Sequence, residues 1–147
     1  MGIRERVARL SARMFDGPQF PTQGATLFVD LERKEHFSRY IPKVVFRTFL
    51  SNRGGNMFLL YNLLPDAIEA LSPGIPLIFG SGVLTGAVPT ACRGNVSSIS
   101  PDSRAVLDSN CGDAFPTFLK FHGYDHLVLY GRATGWTTSR LPARGGP

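Results

Sequence analysis

The stretch Leu77-Ile78-Phe79-Gly80-Ser81-Gly82-Val83-Leu84-Thr85-Gly86 passes from a short apolar run directly into a glycine-rich turn. That change predicts a strand ending abruptly, because glycine supplies the backbone freedom a tight turn needs. Val96 to Ile99 and Leu127 to Tyr130 are further short apolar runs, set off by turns rich in Gly, Pro, Ser, Asn and Asp. Between them Asp113 to Phe121 reads as a helix: Asp113 suits its N-terminal end, Pro116 is tolerated in its first turn, and Gly123 ends it. Upstream, Leu27, Val29 and Leu31 alternate with Phe28 and Asp30, which fits a strand with one better-buried face. Pro42 opens a helix in which Val45 and Phe49, and Phe46 and Leu50, form i, i+4 apolar pairs. Arg53-Gly54-Gly55 then reads as a breaker, and Met57, Leu60, Tyr61 and Leu64 as a second helical stripe that stops before Pro65. Strands on both sides of a few helices predict an α+β fold, with short strands in mixed sheets and packed helices.

With 147 residues, 43% of them apolar, the chain suits one domain with its own core. Ile3, Val7, Leu10 and Met14 recur at helical spacing among arginines, so residues 1–23 read as an N-terminal extension carrying an amphipathic surface helix. Gly17, Pro18, Pro21 and Gly24 mark the boundary, and the globular part runs from 24 to 133. Residues 134–147 have almost no pattern and are expected to form a poorly ordered tail in which Trp136 alone is suited to docking. No run approaches the roughly 20 apolar residues that cross a bilayer, and no secretory signal is recognisable, so a cytoplasmic protein without membrane contact is expected.

The net charge of +5 invites a nucleic-acid reading. Its excess sits at the ends, on Arg4, Arg6, Arg9 and Arg13 and on Arg132, Arg140 and Arg144, where arginines usually line a solvated helix face or a tail. A nucleic-acid partner is therefore not expected. Cys92 and Cys111 lack CxxC spacing and a companion histidine, so no metal site is assigned; free thiols and a disulfide both stay open.

Two loops carry the chemistry. Gly80 to Gly86 with Pro89 to Asn95 is a long run of turn formers around Arg93, a setting in which backbone N–H groups and a guanidinium fork approach an anion closely. Asp108-Ser109-Asn110-Cys111-Gly112 precedes the helix from Asp113, whose N-terminal donors favour the same chemistry. Neither loop matches a dinucleotide or P-loop fingerprint, so on composition alone surface turns of an α+β domain are the commoner reading.

The order of these segments adds a resemblance. Leu77 to Gly86, Pro89-Thr90-Ala91-Cys92-Arg93-Gly94-Asn95-Val96, Asn110-Cys111-Gly112, Lys120-Phe121-His122-Gly123-Tyr124-Asp125 and Tyr130-Gly131-Arg132-Ala133 follow one another. That succession resembles the N-terminal domain of the tungsten aldehyde:ferredoxin oxidoreductase family, in which "GPLTG", "PTGGRYNV", "NSGG", "KFAGYD" and "GKA" occur in turn. Leu27 to Leu31 is similar to its opening "RVDL", and Arg53-Gly54-Gly55 to its "RGL". Cys92, Gly94, Cys111, Asp113 and Pro116 depart from the pattern.

The resemblance implies a domain on which a bis-pterin cofactor of tungsten or molybdenum lies. It assigns cofactor contacts to Arg93, Asn110 and Gly112, and no catalytic residue to this chain. The family's 4Fe-4S cluster ligands and the acidic and histidine groups near its metal belong to later domains; His36, His122 and His126 do not match them. The implied role is thus part of an enzyme that oxidises aldehydes to carboxylic acids, inactive alone, whose partners are the remaining domains or subunits and ferredoxin, with a homodimer left open. A non-catalytic binding or assembly module of the same fold is the alternative, and a basic nucleic-acid binder the third.

Overall fold

A computed structural model describes residues 1–19, 24–67, 69–112, 114–138 and 140–141. The chain is α+β, with elements in the order α1 (Ile3–Ser11), β1 (Ala25–Asp30), β2 (Glu35–Tyr40), α2 (Lys43–Phe49), α3 (Arg53–Leu63), β3 (Leu77–Ser81), β4 (Gly94–Ile99), β5 (Val106–Cys111), α4 (Ala114–Phe121) and β6 (His126–Tyr130). The strands form one mixed six-stranded sheet in the order β2-β1-β6-β3-β4-β5. Only β1 and β6 run parallel; every other neighbouring pair is antiparallel. Asp113, expected to open the last helix, and Pro21 and residues 142–147 lie outside the described residues.

Alternation along the strands divides the core between two faces. Phe28, Val128 and Ile78 stand in register on one face, and Leu27, Leu127 and Phe79 on the other. The first face is covered by Ile3, Val7 and Leu10 of α1 and Leu59, Leu60 and Leu63 of α3, with Val45 and Phe46 of α2 partly buried beside them. The second face carries Leu119 of α4, with Tyr124 and Tyr40. Burying apolar side chains on both faces supplies the main drive to fold, roughly 25 cal/mol per Å² of apolar surface removed from water.

Four expectations are corrected. α1 belongs to the core, because its apolar stripe packs against α3 and its arginines do structural work. Arg6, 4% exposed, donates to Leu63 O at 2.6 Å and Gly74 O at 3.0 Å, and also to Met1 O. Arg4 forks onto Asp30 at 2.6 Å and Glu32 at 2.5 Å. Second, Gly54 and Gly55 do not break the chain but form the first turn of α3. Packing demands them there: a Cβ on Gly55 would lie 2.5 Å from the His126 ring, and one on Gly54 would collide with Phe49 O.

Third, the buried stripe of α3 is Asn56, Leu59, Leu60 and Leu63, and Tyr61 is 83% exposed. A polar residue occupies a fully buried position because the sheet satisfies it: Asn56 Nδ2 donates to Asn95 O at 3.1 Å and Ser97 Oγ at 3.2 Å. Fourth, the segment around Asp108 to Cys111 is no turn but edge strand β5, paired along its length with β4. Strand β2 forms the opposite edge. Little of either is buried, Tyr40 being the one buried residue of the two strands, which suits edges facing water.

Candidate functional site

Strands β3, β4, β5 and β6 bring Ser81, Gly94, Cys111 and His126 to the same end of the sheet. Between β3 and β4 the chain makes the loop 82–93, and Thr85 ties its mouth together. Gly82 N donates to Thr85 Oγ1 at 3.0 Å, and Thr85 Oγ1 donates to Arg93 O at 3.2 Å. Gly86 turns back at φ +74° and donates its N–H to Ala91 O at 2.9 Å. Much of the loop's backbone is paired within the loop, and the Arg93 side chain is left exposed without an ion-pair partner among the described residues.

The β4–β5 ladder decides which predicted residues meet. Gly94 pairs with Cys111 and Asn95 with Asn110, so Arg93 and Gly112 extend the same ladder by one step. Arg93, Asn110 and Gly112 are therefore neighbours on one rim, and all are exposed. A Cβ on Gly112 would meet nothing within 4 Å, so the fold itself does not require glycine there. At Gly94 the fold does require it: a Cβ would stand 2.5 Å from Pro116 Cγ and 2.8 Å from Gly80 O. Gly94 and Pro116, two positions that depart from the resemblance, are thus packed directly against each other.

Several residues of this rim escaped the sequence reading. Asn52 precedes α3 with φ 58° and ψ −125°, and Leu50 has φ 58° and ψ −149°, a region that non-glycine residues enter only under strain. Asn52 does not cap α3; its Oδ1 is buried without a hydrogen-bond partner, and its Nδ2 lies 3.9 Å from the Cβ position of Gly82. Arg53 binds Asp108 at 2.6 Å and pins the start of α3 to β5. The only signal for Asn52 in sequence was its place before Arg53-Gly54-Gly55, where asparagine is ordinary.

From Asn110 a polar row runs inward from the rim. His126, Gly80, Asn95 and Asn110 stand side by side across β6, β3, β4 and β5. His126 is fully buried, and burial pushes its pKa down to about 4. It is a structural imidazole. His36 is exposed, and His122 Nδ1 lies 2.8 Å from Phe118 O. Cys92 is exposed, Cys111 is partly exposed, and both are free thiols. Among the described residues no group of three or more His, Cys, Asp or Glu is placed to hold a metal ion, and no helix is long and apolar enough to cross a membrane.

With the strands and both loops placed, residues 26–140 match the family model described as "Aldehyde ferredoxin oxidoreductase, N-terminal domain". The chain belongs to this family. It is 38% identical over 88 residues to the tungsten-containing aldehyde ferredoxin oxidoreductase of Pyrococcus furiosus, covering 59% of this chain and 14% of that relative. To the "Aliphatic sulfonate oxidoreductase, WOR-like subunit" of the same organism it is 30% identical over 114 residues, covering 75% of this chain and 18% of the relative. Among solved structures, the active site complex BamBC of benzoyl coenzyme A reductase with 1,5-dienoyl-CoA superposes with a TM-score of 0.73 at 28% identity, over 76% of this chain and 17% of that one. This aldehyde ferredoxin oxidoreductase domain thus spans 14% to 18% of the much longer relatives it matches.

Proposed function

We propose that this domain cradles one side of a tungsten or molybdenum bis-pterin cofactor and catalyses nothing alone. The observation that carries the reading is the rim itself: Arg93, Asn110 and Gly112 come from separate segments yet adjoin through the β4–β5 register. The donor set fits the group. Arg93 offers an exposed planar fork suited to phosphate and pterin acceptors, Asn110 offers an amide, and Gly112 leaves open space for close backbone approach. When bound, such a cofactor supplies the two-electron oxidation of an aldehyde to a carboxylic acid. This chain's own part is to bind and orient it, with Thr85 holding the loop that presents Arg93.

On this reading, later domains or subunits supply the 4Fe-4S cluster, the substrate pocket and the contact with ferredoxin. The contact between Gly94 and Pro116, two of the positions that depart from the resemblance, favours a second reading, an assembly module that keeps the fold without the cofactor.

The test is to express the chain, measure tungsten, molybdenum and pterin content, and assay aldehyde-dependent dye reduction. Pterin that falls at least tenfold in Arg93→Ala, with no dye reduction from the chain alone, supports the cradle. Retention unchanged by Arg93→Ala favours the assembly module, and turnover with a stoichiometric cluster in the lone chain overturns both.

A further inference from the structure

We infer that the outward side of α4, with the adjoining loop 82–93, is the docking surface for the remainder of the oxidoreductase fold. Phe115, Phe118 and Phe121 are 41%, 56% and 69% exposed there, and Leu84 and Val88 of the loop are 59% and 44% exposed. A helix on a water-facing surface carries polar residues opposite its core stripe. α4 does not: Pro116 and Leu119 face inward, the outward residues are aromatic, and its one charge, Lys120, is turned onto Asp125.

The patch joins helix to loop: the Phe118 and Phe121 rings meet edge-on at 6.4 Å, and Phe121 lies 3.3 Å from the Cβ position of Gly86, which stands between Leu84 and Val88 in sequence, while Phe115 rests on Phe79 of the sheet at 5.2 Å. The sheet beneath is covered unevenly, since α1, α2 and α3 all pack on the opposite face. Exposed apolar patches with aromatic anchors mark interfaces.

The occupant follows from two facts. Relatives carry this segment as 14% to 18% of a longer polypeptide. The patch also shares its end of the sheet with the rim, because Ser81 Oγ donates to Pro116 O at 3.0 Å and Gly94 abuts the Pro116 ring. A polypeptide seated on α4 therefore closes over Arg93 and Gly112 as well. The part of it that faces α4 must be apolar and uncharged, since α4 offers no free charge to pair with; in the patch only Arg93, at its edge, is a cation left free among the described residues. The identity of this occupant rests on the proposed function; the docking surface itself does not.

Residues 26–140 are grafted in place of the matched segment of the Pyrococcus furiosus tungsten-containing aldehyde ferredoxin oxidoreductase, and separately the whole chain is co-expressed with the rest of that enzyme. Native mass spectrometry reads an equimolar complex in the second format, and protease resistance reads a closed polypeptide in the first. The double variant Phe118→Asp/Phe121→Asp is expected to weaken assembly at least about 30-fold, while Arg47→Glu on α2 leaves it unchanged. Circular dichroism verifies folding of the variant; if it unfolds, Leu84→Asp/Val88→Asp carries the same comparison. No assembly by the parent chain in either format, assembly indifferent to both double variants, or self-association through these phenylalanines as the sole product overturns the inference. Metal and pterin are assayed on the same complex: assembly without cofactor rejects the cradle and leaves the docking surface standing, and cofactor retained without dependence on α4 does the reverse.

Discussion

His126 Nδ1 stands 2.8 Å from Asn56 Oδ1, and both residues are fully buried. Asn56 Nδ2 is committed to Asn95 O and Ser97 Oγ, which turns Oδ1 toward the ring and makes Nδ1–H the donor. Ser51 Oγ donates to Ser81 O at 2.7 Å, and His126 Nε2 lies 3.4 Å from that hydroxyl. A neutral imidazole satisfies this arrangement, and a charged one would sit in a buried site without a carboxylate on the ring.

The pH dependence of stability follows from that pair. Burial lowers the His126 pKa from 6.5 to about 4. Below about pH 6.5 the unfolded chain therefore takes up a proton that the folded chain refuses, so stability is present above that pH and falls as pH drops toward 4. The full loss is on the order of 3 kcal/mol. Urea unfolding between about pH 7 and pH 4 should show this slope, and His126→Gln should flatten it; an equal slope in the variant would assign the effect to other groups.

Gly55→Ala tests propensity against packing. In an exposed helix the change is favourable by roughly 1 kcal/mol. Here the added methyl would lie 2.5 Å from the buried His126 ring, which cannot swing aside without breaking its bond to Asn56. Overpacking of this kind costs typically 1–3 kcal/mol, so thermal unfolding should shift downward. A rise in the melting temperature would show that the ring yields.

Lys120→Met should be more damaging than a surface charge change. Asp125 is fully buried and accepts hydrogen bonds from Lys120 Nζ and from Gly24 N. Removing the ammonium leaves a buried carboxylate with one partner fewer, a change that costs about 3–5 kcal/mol. Denaturant titration of Lys120→Met beside Arg47→Ala, an exposed residue with no ion-pair partner among the described residues, gives the comparison.

Gly112→Val separates fold from site. Since nothing lies within 4 Å of the added Cβ, stability should change by less than about 0.5 kcal/mol. If a ligand approaches this backbone, the same substitution should abolish pterin retention in the assembled enzyme. Unchanged retention at unchanged stability would remove Gly112 from the cradle.

Strands β1, β3, β4 and β6 were legible because their apolar runs stop at turn residues. β2, with Glu35, His36, Ser38 and Arg39, and β5, with Asp108, Ser109 and Asn110, were not, because an edge strand has little to bury and takes its conformation from its neighbour. Gly54 and Gly55 misled for a related reason: what forces them is the His126 ring and Phe49 O, contacts distant or folded back in sequence. Arg93, Asn110 and Gly112 could be named from the resemblance. That they share a rim could not, since the register between Asn95 and Asn110 exists only once the ladder forms. The arginines of α1 looked like solvated charge, and only the carbonyls around Arg6 show why one of them is interior.

The place of β6 sets a timetable for biosynthesis. Strand β6, made after the other five described strands, is inserted between β1 and β3, so β2–β1 and β3–β4–β5 remain two unjoined ribbons until Tyr130 has left the ribosome. Each ribbon meanwhile presents a bare strand edge, the kind of surface that recruits other chains. A stall before residue 130 would therefore leave one chain carrying two unjoined ribbons with bare edges instead of a shortened domain, and a chaperone that shields the β1 and β3 edges would act until β6 is made.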